Sequence, residues 1–219
     1  GSGGGGAGGG DSGEGARVLH TMTFGLVPSY QKPDEEPDHF RMFNARAETA
    51  ASKRSFARLA ASHRCAVPLQ GFYEWRHEGS TKGAKTPFYV HHAGAGDDPA
   101  SEDAPLLWAA ALYDRWETTR GVVHSYSIIT VSAHPALQWL HDRMPALLGD
   151  DQVAAWLDCR SVPAPAALAL LRPSCEGLAW HPVHPRVGSL KHDDSSLCRA
   201  HAPAPITRFF GVKREGGEA

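Results

Sequence analysis

The stretch His124-Ser125-Tyr126-Ser127-Ile128-Ile129-Thr130-Val131 is rich in β-branched and aromatic residues and holds no acid, Lys, Arg, Gly or Pro. It predicts a buried strand, and the fold is read outward from it. Upstream, 106–113 and 86–91 are further strand candidates, separated by a polar Gly/Asp/Pro loop over 93–104. Residues 65–75 read as strand interrupted around Pro68, and 24–30 as a short strand ending in a turn at Pro28. The acid- and Pro-rich 31–39 segment is a surface loop. Residues 50–61 read as an amphipathic helix, with Phe56, Leu59 and Ala60 on one side and Lys53, Arg54 and Arg58 largely toward the other. Downstream, 135–140 suggests a short helix. Residues 150–157 form a helix whose acids suit its N-terminus, and 164–171 form another, closed by Pro173. Residues 178–187 are a last strand broken by Pro182 and Pro185. Many strands and few helices, without strict alternation, predict an α+β fold.

The chain has 219 residues, 42% hydrophobic and 21% charged, enough for one sizeable core. Residues 1–17 are a Gly-rich flexible segment, 18–190 the folded domain and 191–219 a polar, loose C-terminal tail. No apolar run reaches the roughly 20 residues a membrane-spanning helix needs. No signal peptide is visible. A net charge of −2 argues against a globally basic nucleic-acid coat. Basic residues nevertheless gather at Arg41, Arg46, Lys53, Arg54, Arg58 and Arg64, with Glu48 the one acid among them. Such a face can hold a short nucleic acid, or it is a solvated helix surface. The four cysteines are widely spaced, without a CxxC, so neither a disulfide framework nor a zinc cluster is expected. His91-His92 and His181-x-x-His184 are weak metal pairs, and no metal or other cofactor is expected.

Three strings carry chemistry. In Asn44-Ala-Arg46-Ala-Glu48-Thr49, the amide and guanidinium lie two apart and share a direction if extended. They can hold a phosphate or fix a nucleophile; the plainer reading pairs the Arg with Glu48. In Gly71-Phe-Tyr-Glu74-Trp75, Phe72 and Glu74 share one face of a strand, Tyr73 and Trp75 the other. Burial disfavours an ionised carboxyl and suits it to acid–base work; the plainer reading is a Glu on a solvated edge. In His141-Asp-Arg143-Met-Pro145, the Pro stiffens the loop and makes His141 a candidate proton shuttle. The plainer reading is a His satisfied by a backbone carbonyl, and Asp142 or Arg143 could equally be the working member.

Taken in order with Phe24-Gly-Leu-Val-Pro-Ser-Tyr30, Arg64-Cys-Ala-Val-Pro68 and Ser127-Ile-Ile-Thr130, these strings resemble the SOS response-associated peptidase (SRAP) family over roughly 18–190. The resemblance implies an α+β fold around a strongly curved, barrel-like mixed sheet with a few peripheral helices and a DNA groove. It implies abasic-site sensing in single-stranded DNA by a monomer, with no membrane and no cofactor. A thiazolidine cross-link would form through an N-terminal cysteine. Asn44 would orient that cysteine, Arg46 and Arg143 would contact phosphate, Glu74 would handle protons at the amine, and His141 would assist sugar ring-opening. Phe24 and Tyr30, where the family commonly has Trp, would stack on bases. The family's Met-Cys-Gly-Arg start is not in this sequence, and none of Cys65, Cys159, Cys175 or Cys198 supplies a terminal amine. The expectation is that the N-terminal portion with the nucleophile is missing and that this chain alone forms no cross-link. The alternative is a non-catalytic single-stranded DNA-binding remnant. Hydrolysis of other proteins is not supported, since no Ser-His-Asp or Cys-His protease set is recognisable. The implied compartment is nuclear or cytoplasmic, with an organelle left open.

Overall fold

The computed structural model describes residues 17–77, 85–96 and 98–201. In chain order, β1 (Thr23–Phe24) and β2 (Asn44–Arg46) precede α1 (Ala47–Ala50) and α2 (Arg54–Ser62). β3 (Arg64–Leu69), β4 (Gly71–His77), β5 (Lys85–His92), β6 (Leu107–Thr118) and β7 (Gly121–Ser132) follow. β8 (Arg143–Pro145) and β9 (Leu147–Leu148) lead to α3 (Asp150–Leu157), α4 (Ala164–Ala169) and β10 (Leu178–Pro182). The α+β class holds. Among the described residues the strands form a mixed seven-stranded sheet and an antiparallel β10-β5-β4 sheet, and neither closes into a barrel.

The expected buried strand lies inside β7, which organises the larger sheet. Its residues Ser125, Ser127, Ile129 and Val131 face the interior. On one side β7 pairs in parallel with β1 and then with β2. On the other side it pairs with β6 from Thr118↔Gly121 to Ala111↔Ile128. Beyond that point the two strands part. Ala146, fully buried, fills the gap: its N–H donates to Ile129 O at 2.8 Å and its carbonyl accepts from Ala110 N at 2.9 Å. β8 then runs along β7, and β9 along β6. β6 extends five residues past its predicted end, through Asp114, Arg115 and Glu117. Those charges hide a strand whose Asp114 is buried, accepting from Ser29 N–H at 2.8 Å and pairing with Arg58.

The three-stranded sheet has two distinct faces. Phe72, Phe88, Val90, Leu178 and Trp180 join the main core. Tyr73 and Tyr89 turn the other way, onto Val183 and Cys198. Pro68 does not interrupt β3, which lies at the sheet's edge and pairs on through Pro68↔Trp108. An edge position tolerates a residue that cannot donate. The break comes at Gln70, and it sends β3 and β4 into different sheets.

The helix expected over 50–61 is two helices, with a turn at 51–53 between them. Phe56, Leu59 and Ala60 face the core as expected. Arg64, counted in the basic cluster, is instead buried, donating to the carbonyls of Ala60, Trp156, Asp158 and Val162 at 2.6–2.9 Å. A guanidinium suits this role because its five N–H groups satisfy several orphan helix-end carbonyls at once. Residues 195–198 of the expected loose tail form a 3-10 turn with Leu197 and Cys198 buried. Residues 1–16 of the Gly-rich segment and 202–219 of the tail lie outside the described residues. No helix among the described residues is long and apolar enough to cross a membrane.

Gly25, just past β1, has φ +97°, and a Cβ there would collide with the His39 backbone. Gly25→Ala should therefore cost at least about 2 kcal/mol, from left-handed strain plus the clash. Urea denaturation checks this; an unchanged midpoint would refute it.

Candidate functional site

The register around β7 gathers the predicted residues. Ala45 pairs with Ile129 and faces the core, so Asn44 and Arg46 take the opposite, exposed face. Pairing places Phe24 beside Tyr126, and Arg143 beside Ser132. Successive strand residues alternate faces. Phe24, Asn44, Arg46 and Arg143 therefore share the outer face of this sheet. Arg46 and Pro145 flank Thr130 from either side of β7, about 10 Å apart by two inter-strand spacings.

Arg143 ties that face together. Its guanidinium donates to both Glu48 carboxylate oxygens at 2.8 and 3.0 Å and to the Thr130 carbonyl at 2.6 Å. The Glu48 partner is thus Arg143, and not Arg46 as the plainer reading of the first string had it. Arg143 was expected to contact phosphate, but its side chain is only 18% exposed and engaged on two sides. Arg46 is exposed, and among the described residues no carboxylate lies within ion-pair distance of it. Asn44 is likewise exposed.

Glu74 arrives from the other sheet. It lies opposite Phe88 in the β4–β5 pair, on the face that carries Phe72. Its Oε1 stands 3.9 Å from His141 Nε2, with the two side chains 25% and 35% exposed. The Glu faces an imidazole rather than open solvent. The plainer reading of His141 holds in part, since its Nδ1 lies 3.3 Å from the Arg143 carbonyl, but the ring also sits in a loop between two carboxylates. At Nδ1 the ring meets Asp142 Oδ1 at 3.1 Å and the Arg143 N–H at 3.0 Å. An imidazole bracketed in this way can gain a proton at one nitrogen and release one at the other. The pair is partly solvent-open and reachable by an extended polymer.

Phe24 is 42% exposed and stacks on Phe43 at 4.6 Å, with Tyr126 at 5.3 Å. Tyr30 stands apart on a turn near α2. Its hydroxyl bonds Ser55 at 2.8 Å, and the Arg54 guanidinium lies 5.5 Å from its ring centre. A groove of about 520 Å³ beside it is lined by Leu26, Tyr30, Arg41, Met42 and Ser55 among others. Of the basic cluster, Arg41, Arg46, Lys53 and Arg54 are well exposed, whereas Arg58 pairs with Asp114 and Arg64 is interior.

The reading of the strings missed two contributors. Thr130 supplies the carbonyl that seats Arg143, and Phe43 backs Phe24. Phe43 adjoins Asn44 in sequence, a signal that could have been used; the Thr130 carbonyl has no side-chain signature. The four cysteines are all free. Cys65 is only partly buried as a residue, yet desolvation of its thiol pushes it up to about 12, which leaves it protonated and inert. Among the described residues no three His, Cys, Asp or Glu side chains could hold a metal ion. His92 and His184 instead accept from backbone N–H groups at 3-10 turns.

The Arg143 hydrogen bonds hold the Glu48 carboxyl below the ordinary carboxylate range. A depressed folded value means the linked stability is fully present above that ordinary range. It is lost as pH falls through the depressed value. Half of the Glu48 side chain is in water, so Glu48→Gln should cost at most about 1 kcal/mol at neutral pH. The difference from wild type should shrink in acid. Denaturation at several pH values checks this; a gap that widens as pH falls would contradict it.

Residues 9–190 match the family profile described as SOS response associated peptidase (SRAP). Abasic site processing protein HMCES of Gallus gallus is 37% identical over 197 residues, covering 84% of this chain and 57% of that protein. The chain thus spans little more than half of that relative's length. Abasic site processing protein YoqW of Bacillus subtilis (strain 168) is 29% identical over 185 residues, covering 84% of this chain and 77% of that protein. A crystal structure of a Bacteroides thetaiotaomicron protein superposes with a TM-score of 0.69 at 28% identity, covering 83% of this chain and 76% of that one. A family match over most of the chain, together with a relative 37% identical over 84% of it, identifies this protein as a member of the SRAP family.

Proposed function

We propose that this chain is the DNA-recognising and proton-handling domain of a protein that processes abasic sites in single-stranded DNA through a covalent protein–DNA linkage. Its relatives carry the name abasic site processing protein. The observation that carries the chemistry is Glu74 Oε1 facing His141 Nε2 at 3.9 Å on an accessible surface. Asn44 and Arg46 are exposed on the outer face of the sheet that β8, which starts two residues past His141, also joins.

The steps balance as follows. The abasic sugar opens when its C1′ hydroxyl proton is removed and a proton is given to O4′, leaving an aldehyde. His141 shuttles that proton. A primary amine adds to C1′, and the carbinolamine hydroxyl leaves as water once it is protonated, with Glu74 as the acid. A thiol on the same residue then adds to the C=N carbon, the C–S bond forms, and the thiol proton passes to nitrogen. Aldehyde plus aminothiol yields thiazolidine plus water. The aminothiol has the chemistry of an N-terminal cysteine, whose amine and thiol sit on one residue; Cys65, Cys159, Cys175 and Cys198 are within the chain and have no free amine. Arg46 holds a phosphate next to the lesion, and Phe24 offers a ring for a neighbouring base.

The second reading, a DNA-binding remnant, is favoured by the exposed Arg41, Arg46, Lys53 and Arg54. It gives salt-sensitive binding with no adduct, log affinity falling by about 0.7 per phosphate contact for each tenfold rise in salt.

The test uses the protein with its native N-terminus and an abasic oligonucleotide, scored by a denaturation-resistant gel shift. Wild type should form the adduct. Glu74→Gln and His141→Ala should each slow it by roughly 10²–10⁴-fold, with melting temperatures close to wild type. Wild-type rates in both variants, or no wild-type adduct where a family control reacts, would contradict the proposal.

A further inference from the structure

Two residues beyond each member of the Glu74–His141 pair, a second pair meets. Arg76 follows Glu74 along β4 on the same face, and Trp139 precedes His141 in the loop. The Arg76 guanidinium lies 5.9 Å from the Trp139 ring centre and 5.6 Å from that of Phe88. Trp139 is 42% exposed, a large apolar surface left in water next to the site. Its orientation is nevertheless set. The indole N–H donates to Ala136 O at 2.9 Å, and Phe88 meets the ring edge-on at 81° with centroids 5.0 Å apart. The remaining ring neighbour, Trp180, is tilted at 50° and 6.5 Å away. Among the described residues no ring lies parallel on Trp139.

A rigid, half-exposed indole loses little conformational freedom when something stacks on it. A nucleobase stacks on an aromatic face whatever its sequence. Two residues of chain span at most about 7 Å, so Trp139 lies within one nucleotide step of His141. We infer that Trp139 forms a flanking-nucleotide subsite: its ring, backed by Phe88 and Arg76, stacks the base next to the abasic position. The subsite rests on the abasic-DNA reading above and extends it by naming what occupies the neighbouring position. An undamaged base is held on one side, so the enzyme distinguishes a single gap from a run of missing bases.

The test measures equilibrium binding of the full protein to three single-stranded oligonucleotides carrying a non-reactive tetrahydrofuran abasic analogue. One has bases on both sides, one lacks the 5′ neighbouring base, and one lacks the 3′ neighbouring base. Wild type should lose roughly ten-fold in affinity when one of the two neighbours is removed, the scale of one base–aromatic stack. Trp139→Ala should bind the intact-flank oligonucleotide about as weakly and become indifferent to that removal. Trp139→Phe should retain most of the discrimination, which a purely structural role for the ring would not predict. Trp139→Ala with wild-type affinity, or with its flank sensitivity intact, overturns the subsite while adduct formation by wild type leaves the parent reading standing. No wild-type binding to any of the three overturns both.

Discussion

The parting of β6 and β7 around Ala146 is the constraint on which the rest of the structure depends. Past Ala111 and Ile128 the two strands no longer pair, and one fully buried alanine bonds to both. That opening lets β8 run along β7 and brings its preceding loop, with His141, to the end of the sheet. Without it β7 would stay paired to β6 along its length, and Thr130 would have no β8 beside it. The wedge also explains the shared outer face. β1 and β2 lie on one side of β7 and β8 on the other, so Phe24, Arg46 and Arg143 come from distant parts of the chain to one surface.

Two ionic devices then divide the work. Arg143 joins Glu48 to the Thr130 carbonyl and so locks the start of α1 to the end of β7 and to β8. Arg64 collects four carbonyls, three at the ends of α2 and α3 and the fourth from Val162 in the turn before α4. Both guanidiniums are consumed by structure, which leaves Arg46 as the exposed charge on the site's own face. Removing either structural arginine would strand buried acceptors, a cost larger than the loss of a surface ion pair. The positive charge available to a ligand is therefore smaller than the six basic residues of 41–64 suggest, and it is better placed.

Much of this was legible in the sequence because local pattern and burial agree. Residues 124–131 fall within β7, helix α3 has the expected bounds, and the faces of α2 and β4 follow from Phe56, Leu59 and Phe72. Elsewhere tertiary partners overrode the local signal. Asp114 made β6 look finished, because an acid is a poor strand residue until Ser29 and Arg58 satisfy it. Pro68 looked like a break because pairing at an edge cannot be seen from one strand. Arg64 looked like surface charge because its four carbonyls lie in other segments. At the site, the family resemblance implies roles for Glu74 and His141 in one reaction, yet no spacing in the sequence encodes their meeting. Trp139 and Arg76 carried no family string and became visible only through their geometry.

The central claim is that Glu74 and His141 act as one unit, and a double-mutant cycle on the rate of adduct formation tests it most directly. Glu74→Gln, His141→Ala and the double variant are compared with wild type under single-turnover conditions. Strong non-additivity is expected, with the double variant little slower than the slower single one. Losses that simply multiply would show two independent groups, and would contradict it.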